Sequence, residues 1–156
     1  MKVTDFLCRN AVSTDLKAAN KAEVIEEMVD LLVDAGAIDK KNKNKIIDIL
    51  MAREALGSTA IGQGIAIPHG KSESTDKLVA ALAISKKGIN FDSLDGEPVH
   101  IFFLLVAPID SAGPHLKALA RISRLLKDKF FRETLKNTKT PKEILDLISR
   151  EDVRIS

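Results

Sequence analysis

The sequence predicts an α/β fold of three layers, a mixed β-sheet with helices on both faces, and three observations carry that expectation. Two segments, 78–85 (LVAALAIS) and 99–107 (VHIFFLLVA), are apolar at both parities and bounded by turn signals, the pattern of strands covered on both faces. Amphipathic helical patterns precede the first segment and follow the second, which puts helices on either side of a sheet. The chain's 156 residues are 45% hydrophobic, enough for one compact domain with a substantial core, expected over 1–156.

The elements follow in order. After a short apolar lead at 3–7 and a strand near 12–16, Asn20 with Glu23 three residues later gives a capping-box helix start. Ile25, Met28, Val29 and Leu32 form one helical stripe that ends near Gly36. A second helix begins after Asp39 and carries Ile46, Ile49, Leu50 and Arg53 on one face before Gly57 stops it. A glycine-rich loop leads to the first buried strand. Between the two strands, KKGINFDSLDGEP reads as a short irregular connection with a turn at Asp95-Gly96. Pro114 suits the first turn of a third helix, with His115, Leu119, Ile122 and Leu126 in line. A further helical segment spans about 130–137. The last helix opens on Thr140-Pro141-Lys142-Glu143, a cap, a first-turn proline and a box glutamate.

Composition excludes several functions. The formal net charge is +2, from 24 Lys and Arg against 22 Asp and Glu, so no electrostatic bias points to nucleic acid or an anionic membrane. With no Trp or Tyr, stacking platforms for single-stranded bases are largely missing. Cys8 stands alone and cannot form an internal disulfide, and no apolar run reaches the roughly 18 residues of a membrane span. The opening MKVTDFLCRN lacks the apolar stretch of a signal peptide, so the expected compartment is a reducing cytoplasm.

The loop at 62–72, GQGIAIPHGKS, ends like a phosphate-binding loop but has the wrong register. Gly64 and Gly70 enclose five residues where a nucleotide-binding loop has four, and Pro68 removes a backbone N–H where donors are needed. A dinucleotide fingerprint starting at Gly62 lacks its third glycine, since position 67 is Ile. Histidine chemistry is the alternative. A neutral ring nitrogen can attack phosphorus while the other nitrogen's N–H is held in a hydrogen bond, and Pro68 and Gly70 frame His69 for that task. The transferred group carries charge on three equatorial oxygens and needs donors around it. Arg53 at the end of its helix, His115 in the first turn of another, and the hydroxyls of Ser58 and Thr59 are candidates, and Gly70 permits a tight turn or a close approach after His69.

Spacing alone leaves plainer readings open. His69 can be a turn residue, Arg53 a snorkelling surface cation, His115 a first-turn surface residue, and Ser58 and Thr59 caps. Lys71 is expected to be a solvated loop charge or a contact for a partner's surface. His100 lies in a buried-looking strand and is expected to be a satisfied structural histidine. A zinc site from His69, His100 and His115 has no close-spaced ligand pair, so no metal is expected, nor any organic cofactor.

The stretch REALGSTAIGQGIAIPHG, Arg53 to Gly70, resembles the signature of the mannitol/fructose-type enzyme IIA domain of the bacterial phosphotransferase system. The resemblance extends to the later FFLLVAP strand and the HLKALARISRLL helix. It implies that His69 is the phosphorylated histidine, receiving phosphate from the phosphohistidine of a small phosphocarrier protein. Arg53 and His115 match positions that support the phosphoryl group, with Ser58, Thr59 and Gly70 expected at the phosphate. GSTAIGQGIAIPHGK looks most like the nitrogen-related regulatory branch, implying regulated transporters or sensor kinases as partners. A sugar-specific enzyme IIA that feeds a permease IIB domain, and a non-transferring binding module on the same fold, remain alternatives.

Overall fold

The computed structural model describes Met1–Ser156. A 3-10 turn at Val3–Asp5 leads into β1 (Leu7–Ser13). Helix α1 (Lys21–Asp34) starts at its capping residue, where the Asn20 side chain accepts from the Glu23 N–H at 3.0 Å. Helix α2 (Lys43–Ala55) follows a second 3-10 turn at Lys40–Asn42. The glycine-rich stretch builds three very short strands, β2 (Ala60–Gly62), β3 (Ile65–Ala66) and β4 (His69–Ser72). Two long strands come next, β5 (Val79–Ile89) and β6 (Val99–Pro108). Helices α3 (Ala112–Leu125), α4 (Lys129–Lys136) and α5 (Pro141–Arg154) complete the chain, and the Thr140 hydroxyl accepts from the Glu143 N–H as the sequence indicates. No helix is long and apolar enough to cross a membrane.

The six strands form one mixed sheet in the order β1-β5-β6-β3-β2, with β4 lying further along the same side of β6 as β3. Strands β5 and β6 are antiparallel, β1 runs parallel to β5, and β3 and β4 run parallel to β6. Strand alternation sorts the core. Ala80, Leu82, Ile84, Ile101, Phe103 and Leu105 join α3, α4 and α5 on one face, while Val79, Ala81, Ala83, Phe102, Leu104 and Val106 join α1 and α2 on the other. Both parities are apolar because both faces are covered, and each large side chain so buried contributes about 1.5–3 kcal/mol. On the first face Arg121 of α3 donates to the buried Asp152 carboxylate (Nε 3.1 Å, Nη2 2.9 Å), pinning α3 to α5.

Two elements differ from expectation. The first strand lies at Leu7–Ser13 instead of 12–16, because exposed Arg9 and Asn10 interrupt its apolar pattern where the register with β5 shifts. The connection after the first buried strand is also shorter than expected, since β5 bends and runs on to Ile89. The bend falls at Gly88, where φ is 82° and a Cβ would lie 2.8 Å from the His100 ring.

Candidate functional site

The glycines of the loop serve backbone geometry. Gln63 and Gly64 both have positive φ, 58° and 78°, and close the β2–β3 turn in the way two-residue hairpins require. The chain then continues along β6 as β4, so His69 opens a strand where a turn was one of the sequence readings. His69 lies opposite Leu105, Gly70 opposite Val106 and Lys71 opposite Ala107.

Alternation along β4 decides which way these side chains point. Ile67 and Leu105 belong to the core on the α3 face, and the His69 ring meets the His115 ring of α3 at a centroid distance of 5.3 Å, nearly edge-on at 76°. Gly70 turns the other way. A Cβ there would come within 2.9 Å of Ile49 Cγ2 and 3.5 Å of Leu50 Cδ2, so the missing side chain lets α2 pack directly on the strand. Gly70 was expected at the phosphate; the face that its missing side chain leaves open is occupied by α2.

His69 is fixed by its own backbone. Its Nδ1 lies 2.8 Å from the Ile67 carbonyl oxygen, which can only accept, so Nδ1 carries the proton and the Nε2 lone pair is free. His115 differs. Its place on the buried stripe of α3 with Ala118, Ile122 and Leu125 leaves it 7% exposed, and its buried Nε2 has no hydrogen-bond partner. Burial, reinforced by the like charges of His69 and Lys71, pushes this imidazole from 6.5 down to about 4, so it is neutral at pH 7. His100 is the plain case: its Nδ1 donates to the Ser85 carbonyl at 2.8 Å and its ring packs on Gly88.

Helix α2 lies antiparallel to β4. Lys45 pairs with Glu73 beyond the strand at 2.7 Å, Ile49 meets Gly70, and the Thr59 carbonyl accepts from the Ile67 N–H at 3.1 Å. One helical turn past Ile49 puts Arg53 at the Pro68–His69 end of the strand. There its Nη1 donates to the Gly57 carbonyl at 2.8 Å, which leaves the rest of the guanidinium fork without a partner.

Ser58 and Thr59 lie in the same connection, but their hydroxyls are committed elsewhere. Ser58 Oγ donates to the Phe91 carbonyl at 2.5 Å and accepts from the Ala60 N–H, and Thr59 Oγ1 donates to Glu54. Both were expected at the phosphate; within the protein these bonds give the pair a loop-building role. Glu54, which the sequence reading passed over, is 5% exposed and also pairs with Lys21 at 3.3 Å. Its signal was the spacing: Ile46, Leu50 and Glu54 are the buried residues of α2, each four apart, whereas Arg53 sits at the margin of that stripe. None of the site residues lines the largest cleft, about 500 Å³ between α4 and α5.

The fold defines the class. The crystal structure of the nitrogen regulatory protein IIA-Ntr from Neisseria meningitidis superposes with a TM-score of 0.84 over 94% of this chain and 98% of that one, at 29% identity. The model of the family "Phosphoenolpyruvate-dependent sugar phosphotransferase system, EIIA 2" matches residues 5–151, and the chain belongs to that family, whose members are phosphotransferase components. A nitrogen regulatory protein of Bradyrhizobium diazoefficiens is 36% identical over 96% of this chain and 95% of its own length. The fructose-specific EIIABC component of Bacillus subtilis is also 36% identical over 97% of this chain, which spans 24% of that longer protein.

Proposed function

We propose that this chain is a histidine phosphocarrier of the nitrogen-related regulatory kind, taking a phosphoryl group onto His69 Nε2 from a small histidine phosphocarrier protein. One observation carries the choice of atom: the Nδ1–H bond to the Ile67 carbonyl leaves Nε2 as the nucleophile. The N–P bond of the donor breaks as the bond to Nε2 forms. Both ends of the transfer are phosphohistidines, so the energies nearly balance, the step runs in either direction and no nucleotide is consumed. His115, neutral and with an unpartnered Nε2, is placed to donate to the phosphoryl oxygens, and Arg53 offers the free part of its fork from the opposite side of β4. A site on the surface of a strand end, outside the larger clefts, suits a donor that is itself a protein. A cytoplasmic location follows from that partnership.

Near full-length coverage of the Bradyrhizobium relative favours the regulatory branch, while equal identity to the fructose component keeps sugar uptake as a second reading. The test is incubation with phosphorylated phosphocarrier protein, then with IIB domains. Under the proposal the protein gains one acid-labile, alkali-stable phosphoryl group and passes none to a IIB domain. Rapid transfer to a fructose-type IIB domain would establish uptake instead, and no gain of phosphate would leave only the binding-module reading.

A further inference from the structure

Lys71 was expected to be a solvated loop charge or a contact for a partner's surface; it is exposed, and it lies on a strand that sets the direction of its side chain. It follows His69 by two residues on β4, so both side chains leave the strand on the α3 face, while the intervening Gly70 faces α2. Its partner across the ladder is Ala107, a small residue that leaves space above the strand. Several lysines packed around the sheet are paired, Lys21 with Glu54, Lys43 with Asp30, Lys45 with Glu73, and Lys86 with the carbonyls of Lys136 and Thr138, whereas Lys77 and Lys87 are not. Lys71 takes part in no ion pair and no side-chain hydrogen bond. The charge is nonetheless felt at the His115 ring, which it helps to keep neutral. The two charged groups that act on that ring, His69 and Lys71, are both basic and both come from β4. A buried, unpartnered Nε2 and a free ammonium on the same side as the nucleophile are the makings of an anion site.

We propose that Lys71 is a further phosphoryl-binding residue, its ammonium meeting the oxygens of the group carried on His69 Nε2 from the side opposite Arg53. The inference rests on the assignment of His69 as phosphoryl acceptor. Lys71 exchanges no atom in the step; it remains protonated and balances the charge of the oxygens while the N–P bond passes from donor to acceptor.

The test is single-turnover transfer from phosphorylated phosphocarrier protein to wild type, Lys71→Met and Lys71→Arg, over a range of carrier concentration. Lys71→Met lowers the maximal rate by about tenfold with little change in the half-saturating carrier concentration, and Lys71→Arg recovers most of it, the scale of one exposed charge-assisted hydrogen bond. In the unphosphorylated protein, the NMR titration of His115 moves up in Lys71→Met and stays near wild type in Lys71→Arg. Thermal unfolding of both variants matches wild type, since the side chain is exposed. An unchanged maximal rate in Lys71→Met, or an effect confined to the half-saturating concentration, overturns the proposal and leaves Lys71 a bystander or a docking contact. Failure of the wild type to take up phosphate overturns the assignment of His69 itself.

Discussion

Two polar clusters flank the C-terminal end of α2, and they are built in opposite ways. On the α1 side, Glu54 is buried with its oxygens bonded to Thr59 and its charge met by Lys21, whose ammonium also reaches Asp92 at 3.1 Å and lies 4.9 Å over the Phe91 ring. On the α3 side, His69 has a free Nε2, His115 an orphaned one, and Lys71 no partner. The closed cluster fastens the helix end that carries Arg53. The open one holds polar groups that no side chain of the protein satisfies. A buried polar network that is fully satisfied fixes structure, and one left unsatisfied is poised for a ligand.

Substitutions in each cluster should therefore separate transfer from stability. The largest effect is expected from His69→Gln, which removes the nucleophile: uptake of phosphate is abolished while the thermal midpoint shifts by only a few degrees, about the scale of a change at a half-buried position. Full labelling of this variant would place the phosphate elsewhere. Next, Arg53→Lys keeps the charge but loses the planar fork, and transfer falls by about a hundredfold at unchanged stability. Wild-type rates would make Arg53 a surface cation only.

The closed cluster should behave the other way. Glu54→Ala leaves Lys21 and the Thr59 hydroxyl without their partner, at a cost of about 2–4 kcal/mol in urea unfolding, and slows transfer only through the loosened end of α2. A stable but inactive Glu54→Ala protein would break the contrast. Gly70→Ala forces the Ile49 contact apart, with a loss of about 1–3 kcal/mol, because backbone and helix must separate. A further effect is in the pH dependence of the open cluster. The unfolded chain binds the His115 proton near 6.5 and the folded chain only near 4, so this contribution to stability is whole above 6.5 and is lost as pH falls toward 4. His115→Asn removes it, and comparison of urea midpoints over that range measures the difference.

The sheet and its helices were legible because burial on both faces makes a strand apolar at both parities, and because Asn20, Thr140 and Pro141 announce helix starts locally. Strand β1 was misplaced since Arg9 and Asn10 sit where the ladder slips, an event set by the neighbouring strand. The site was legible as a cast and not as a geometry. His69, Arg53 and His115 could be named as candidates from the chain and its resemblance. That Gly70 faces a helix and that Lys71 shares the face of His69 both depend on β4 being a strand, and four residues with three polar side chains and a glycine give no periodic signal of one.

That brevity has a consequence for inheritance. In β4 the direction of every side chain is a matter of odd and even: 69 and 71 face one way and 70 the other. Exchange of one residue type for another leaves that count intact, whereas loss or gain of a single position between Ile67 and His69 would swing the histidine toward α2 and present the glycine's bare backbone to α3. The segment is thus a message whose spelling can drift and whose length cannot.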